Sequence, residues 1–258
     1  GAGTVTINGG ALDLNGKTVT NALSITGTGL GGNGTIINSS STAGQVTGSV
    51  LLTAASAVGG ANPYSISSTI SGAYGLTKLG VNTVTLSGTS TYSGATTVSA
   101  GGLKITGKIY CTTLACNVDQ NFAAVVTVRS GAVLEINDWS FWGSLGSNYY
   151  DNYNIVLDGG TLRYSGSTST SSGRAYTVTT NGATFENVSS GTTWGFDYAA
   201  SSGYSPIFNG NVKFTGAGNF AYAQIISGAG NLTKDGSGTL TLSKATVTPA
   251  RPPSTVAH

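Results

Sequence analysis

Few side chains in this protein are equipped for chemistry. The single histidine is His258, so a serine nucleophile has no imidazole base in the body of the chain. The carboxylates Glu135, Asp138, Asp151, Asp158, Glu186 and Asp197, together with Arg163 and Arg174, are the candidates for cutting a glycan. Hydrolysis requires two carboxyl groups facing one glycosidic bond, whereas a lyase uses a Lys or Arg base. The spacing between Glu135 and Asp158 would bring them to adjacent turns of a winding chain. Nothing else in the spacing is specific. An active cleft concentrates ionisable groups, and here charged residues are 8% of the sequence, against about a quarter in ordinary proteins. The expectation is that the protein is not an enzyme and that these charges are surface groups and turn caps.

Metal and cofactor chemistry fares no better. Gly31-Gly32-Asn33-Gly34-Thr35-Ile36-Ile37 has the glycines of a calcium-binding roll, but Thr35 and Ile36 stand where an acid belongs, and a hard cation needs that charge. Cys111 and Cys116 lie close together in the chain. An exported chain allows a disulfide between them; a pair of buried thiols is the alternative. Zinc would need further ligands, and no helix follows the Gly-rich loops to aim its N-terminus at a phosphate. No cofactor or metal is expected.

Aromatic residues carry the clearest binding signal. Trp139, Phe141, Trp142, Tyr149, Tyr150 and Tyr153 crowd one segment, and Trp194 follows. Three readings are open: a loop that buries its own rings, a protein interface anchored by them, or a surface on which sugars stack.

The elements that must position these residues follow from composition. Half of the 258 residues are Gly, Ser, Thr or Asn, and the net charge is +2. That excludes helical bundles and collagen, and it leaves no basic surface for nucleic acid. No stretch is apolar enough for a membrane helix. The sequence contains no Met, so Gly1 reads as a processed or a cropped end, most simply one left by removal of a secretory signal.

Self-similarity is strong. Ile70 to Ser87 reads ISGAYGLTKLGVNTVTLS and Ile226 to Ser243 reads ISGAGNLTKDGSGTLTLS, identical at twelve of eighteen positions. A shorter unit recurs in VTINGGALDL from Val5, VSAGGLKI from Val98, VTVRSGAVLEI from Val126, IVLDGGTLRY from Ile155 and VTTNGATFEN from Val178. Each is a period-2 strand, a Gly-containing corner and a second strand. A sandwich could use such units. Their repetition favours a β-helix, because a recurring unit needs neighbours to bury its inner face. At about twenty residues per coil, roughly a dozen coils would make a rod on the order of 55–60 Å long. Residues 1–243 are expected to form one rod-like solenoid domain, plain over 1–110 and aromatic-rich over 111–243. Decorating loops fall at Asp138 to Tyr153 and Gly191 to Tyr204, and 244–258 form a Pro-rich tail.

Leu76 to Leu103, LTKLGVNTVTLSGTSTYSGATTVSAGGL, closely resembles the passenger-associated repeat of bacterial autotransporters, and Leu232 to Ser243 resembles its first half. The resemblance implies a right-handed parallel β-helix exported to the outside of a Gram-negative cell. Autotransporters end in a membrane β-barrel. This sequence ends at KATVTPARPPSTVAH; if it is the complete chain, it has no translocator of its own, and self-secretion is in doubt.

A β-helix has an open edge at each end, which proteins normally cover. Gly1, Thr4 and Val5 at one end are candidate subunit contacts, as are Thr246, Val247, Thr248, Pro249, Pro252 and Pro253 at the other. The leading expectation is a secreted, non-catalytic structural protein that stacks head to tail into a fibre or surface matrix, its main partner being itself. The alternatives are a stalk or adhesin segment of an autotransporter-like surface protein, which contacts surface glycans or host and cell-surface molecules, and a glycan-binding or glycan-cleaving β-helix.

Overall fold

The computed structural model describes residues 3–109, 125–140, 145, 155–174, 176–197 and 206–244. Alternating side chains and Gly corners wind this chain into a right-handed parallel β-helix. Every pair of named strands is parallel, and each strand's partners lie one coil away. Parallel strands joined by crossovers take the right-handed path.

Three faces enclose the core. Face A stacks Val5–Asn8, Leu23–Gly27, Val50–Val58, Leu76–Lys78, Thr96–Val98, Val126–Arg129, Ile155–Asp158 and Thr177–Val178. Face B is a ten-stranded ladder from Thr18–Val19 to Leu232–Lys234. The third face is in two pieces. One pairs Thr89–Ser90 with Lys108–Ile109, and the other stacks Thr170–Ser172, Thr193–Phe196, Asn219–Tyr222 and Leu240–Leu242. Ten strands at about 4.8 Å each give a rod about 43 Å long, shorter than a dozen uniform coils would make.

The shortfall comes from coil length. Gly44, Tyr64 and Val84 recur at one short, even interval along face B, and Val212 and Leu232 repeat it. Between them the chain travels further around each coil. Leu103 is opposite Leu134, Leu134 opposite Leu162, and Phe185 opposite Phe214.

The interior changes with the coils. The short coils are filled by branched aliphatics such as Ile25, Val50, Leu52, Ile66, Leu76, Val84, Leu103 and Ile105, all nearly inaccessible. From Trp139 onward rings take over. Phe185 lies flat on Phe214 at 5.1 Å, while Trp194 over Phe220 at 5.8 Å and Phe196 over Tyr222 at 5.4 Å are tilted, each ring over its register partner on the next coil. Each buried ring contributes on the order of 1.5–3 kcal/mol.

Polar residues also enter the interior, at the corners, where an alternating apolar pattern would place none. Asn38 donates to the carbonyls of Ser40, Thr42 and Pro63 and accepts from the amide of Gly16, tying three coils together. Asn82 donates to Gly59 and Asn62. Lys78 is fully buried, and its Nζ donates to the carbonyls of Leu79, Gly80 and Ala100. Burial pushes its ammonium down to about 8, so it remains charged at neutral pH and uses all three protons.

Glycine is required where corners stack backbone on backbone. Gly80 has φ +69°, and a Cβ there would lie 2.4 Å from the Gly60 carbonyl oxygen of the coil below. Gly131 has a similar φ, +76°, but open space around it. Both substitutions to alanine incur the left-handed backbone cost of about 1–2 kcal/mol. Gly80→Ala should therefore cost clearly more than Gly131→Ala in chemical unfolding followed by far-ultraviolet circular dichroism. Equal costs would mean that coil-to-coil contact does not select glycine at Gly80.

Candidate functional site

Four of the shorter units place a charge at the same point of their second strand: GLKI, VLEI, TLRY and TFEN. Because coils stack in register, Lys104, Glu135, Arg163 and Glu186 form one column on the outer side of face B. The signs alternate along it. Lys104 Nζ is 2.6 Å from Glu135 Oε1, Arg163 bonds Glu135 Oε2 at 3.5 Å, and Arg163 Nε donates to Glu186 Oε2 at 2.7 Å. Burial alone would raise the Glu135 carboxyl. The Lys104 hydrogen bond and the charges of Lys104 and Arg163 outweigh burial and hold the carboxyl below its ordinary range.

A groove of about 230 Å³ lies beside this column, lined in part by Val81, Gly101, Gly131, Val133, Glu135 and Arg163. It is smaller than the roughly 300–1,000 Å³ of typical ligand pockets. Its carboxylate and guanidinium are already paired with each other and with their neighbours, which leaves no acid and base poised for transfer.

Glu135 and Asp158 do not form the stacked pair that their spacing suggests. The longer coils put Glu135 over Lys104 and under Arg163 on face B. Asp158 ends a strand of face A, level with Arg129, and accepts from Thr179 Oγ1 and Asn181 Nδ2. Those two hydrogen bonds hold its carboxyl below the usual range. Asp138 accepts from the amide of Ser140, and Asp197 is exposed. Arg174 is buried, with its guanidinium 5.6 Å from the Trp139 ring centre. Among the described residues no three of His, Cys, Asp or Glu gather to hold a metal.

The tryptophans correct the binding expectation. Trp139 is 1% exposed and Trp194 is inaccessible. They meet edge to face at 5.4 Å inside the wider coils, and Tyr164 stacks on Trp194. Both rings fill the core and offer no face to a sugar or a partner. Phe141, Trp142, Tyr149, Tyr150 and Tyr153 lie outside the described residues, as do Asp151, Cys111 and Cys116. So do Gly1, Thr246, Val247, Thr248, Pro249, Pro252 and Pro253. Thr4 is exposed and Val5 half-buried at the first coil.

The two long repeats have different surroundings. Leu76, Lys78, Val84 and Leu86 are buried mid-rod between coils on both sides. Their counterparts belong to the last described coil. Leu232, Lys234 and Leu240 are half-buried there, and Leu242 is 39% exposed.

Comparison with known proteins agrees with this geometry. The model of the passenger-associated-transport-repeat matches residues 76–105 and 232–248. The adhesin BmaC autotransporter of Brucella suis biovar 1 is 32% identical over 168 residues, covering 59% of this chain. The chain spans only 4% of that relative's length. No solved structure matches. The repeats and the relative make this all-parallel stack similar to an autotransporter passenger-type β-helix. No described helix is long and apolar enough to cross a membrane.

The charge column makes an acid-sensitive contribution. The folded Glu135 carboxyl lies below its ordinary value of 4.5, so its stabilisation is complete above that ordinary value and is lost as pH falls through the lower, folded one. Glu135→Gln should destabilise the protein at neutral pH by about 1 kcal/mol, since Lys104 and Arg163 remain partly solvated and screened. It should also flatten the fall in stability on acidification. Thermal melts from neutral pH to pH 3 provide the check; an unchanged acid profile would remove Glu135 from that role.

Proposed function

We propose that this chain is a rigid, non-catalytic stalk segment of an autotransporter-like surface adhesin. The carrying observation is the continuous in-register stack, with a transport repeat within it and another on its last described coil. The printed name of the relative, an adhesin, supports the same reading. A stalk has to hold distance and survive outside the cell. Strands paired along the rod supply stiffness, and a surface of paired charges and short hydroxyl side chains offers proteases few extended, charged sites. Contact with glycans or host surfaces would fall to the longer coils, whose sequence holds Phe141, Trp142, Tyr149, Tyr150 and Tyr153.

A second reading is end-to-end self-association into a fibre or matrix, for which the low charge of the chain, 8% of its residues, is the supporting observation. The purified chain tests both. A stalk segment should show rods of uniform width in negative-stain electron microscopy, resist trypsin, and release no product from polysaccharides. Alanine at Glu135 or Asp158 should leave those three properties unchanged. Turnover of a glycan that either substitution abolishes would replace the stalk with an enzyme. Long filaments would favour the second reading.

A further inference from the structure

We propose that the outer side of face B is a side-by-side contact for a second copy of this chain, lying antiparallel to the first. The inference goes beyond the stalk reading, which concerns a single rod, and it is distinct from end-to-end stacking.

The starting point is the order of the charges. Along the outer column Lys104, Glu135, Arg163, Glu186 the signs run plus, minus, plus, minus, and all four side chains are partly exposed. Read from the other end, the order is minus, plus, minus, plus. A second rod laid on face B in the opposite direction therefore sets Glu135 against the partner's Arg163 and Lys104 against the partner's Glu186. A twofold axis along the strand direction, midway between the coils of Glu135 and Arg163, makes each pair twice. A rod laid in the same direction at the same level sets like charge on like, which costs binding. Shifting either arrangement by one coil brings like charges together or leaves end charges unmatched.

The groups have capacity for such pairs. An ammonium has three donors and a guanidinium five. Within the chain Lys104 meets Glu135, and Arg163 meets Glu135 and Glu186. Donors remain at both cations, and Glu186, bonded to Arg163 alone among the described residues, keeps lone pairs for a second cation.

Shape agrees with charge. The neighbouring outer column of face B is Thr83, Gly102, Val133, Thr161, Thr184 and Lys213. Gly102 presents no side chain, and the groove of about 230 Å³ opens there between Val81 and Val133. A Cβ at Gly102 would lie 2.7 Å from Thr83 Oγ1, so the dent is kept open by glycine. In the register set by the charges, Gly102 faces the partner's Thr184, and Val133 faces the partner's Thr161. The dent thus receives one small side chain from the second copy. The contact is isologous and closes as a dimer. Its ion pairs stay partly solvated, so association is weak and falls with salt.

Sedimentation of the full chain at low ionic strength should show a monomer–dimer equilibrium that weakens about tenfold or more in molar salt. Glu186→Lys should abolish it, and adding Lys104→Glu to Glu186→Lys should restore it. Those two residues are three coils, about 14 Å, apart within one chain, so only a partner can couple them. The fourfold inversion Lys104→Glu, Glu135→Lys, Arg163→Glu, Glu186→Lys keeps the signs alternating inside the chain, protects the fold, and should dimerise with itself. Thr85 and Thr215 stand one coil beyond either end of the charge column. In Cys111→Ser, Cys116→Ser chains, a short bismaleimide should join Thr85→Cys to Thr215→Cys when the two are mixed, and should join Thr85→Cys to itself in no case. Self-linking of Thr85→Cys would overturn the antiparallel register. Dimers indifferent to Glu186→Lys, or a chain monomeric at both low and high salt, would overturn the proposal and leave the stalk reading standing.

Discussion

Parallel stacking in register is the constraint on which the rest of this molecule depends. Each residue meets its counterpart one coil above and one below, so a side chain is chosen for how it packs against its own column. Leu, Val and Ile satisfy this by nesting, rings by stacking flat or tilted over one another, and charges only by alternating in sign. The column Lys104, Glu135, Arg163, Glu186 meets the last condition. Like charges at that spacing would repel along the rod.

Apolar walls and polar corners divide the work. The walls supply burial, which is non-directional and does not by itself fix which coil lies over which. The corners supply direction. Asn38 and Lys78 each bond carbonyls on their own coil and the next, and Asn82 bonds two on the coil before it, and a slip of one position would leave those groups buried without partners, at about 1–3 kcal/mol each. The wider coils add a second device, in that a ring placed over a ring fills a larger cross-section than an aliphatic pair.

The architecture is legible in the sequence because its signals are local and repeated. Short alternating runs, a glycine corner, and two nearly identical segments at 70–87 and 226–243 suffice for a β-helix. The number of coils is not legible, since the residues that lengthen a coil carry no mark separating them from strand. Trp139 and Trp194 read as surface candidates because tryptophan in a segment rich in Gly and Ser resembles a binding loop; their burial depends on the width of the coil around them. Lys78 is hidden for the converse reason, a lone cation being ordinarily a surface group. Glu135 and Asp158 would match only if the coil between them were as short as their spacing, whereas the coils around Glu135 are longer and carry it to Lys104 and Arg163. The true column is readable from the shared position of one charge in GLKI, VLEI, TLRY and TFEN.

Coils bonded only to their immediate neighbours have a consequence under load. A tether that pulls on one end of the rod strains the outermost ladder first, and the coils beyond it carry no extra force until that ladder parts. Each short coil of about twenty residues that detaches would release about 70 Å of extended chain. Tension would thus be dissipated in small, sequential extensions instead of a single rupture.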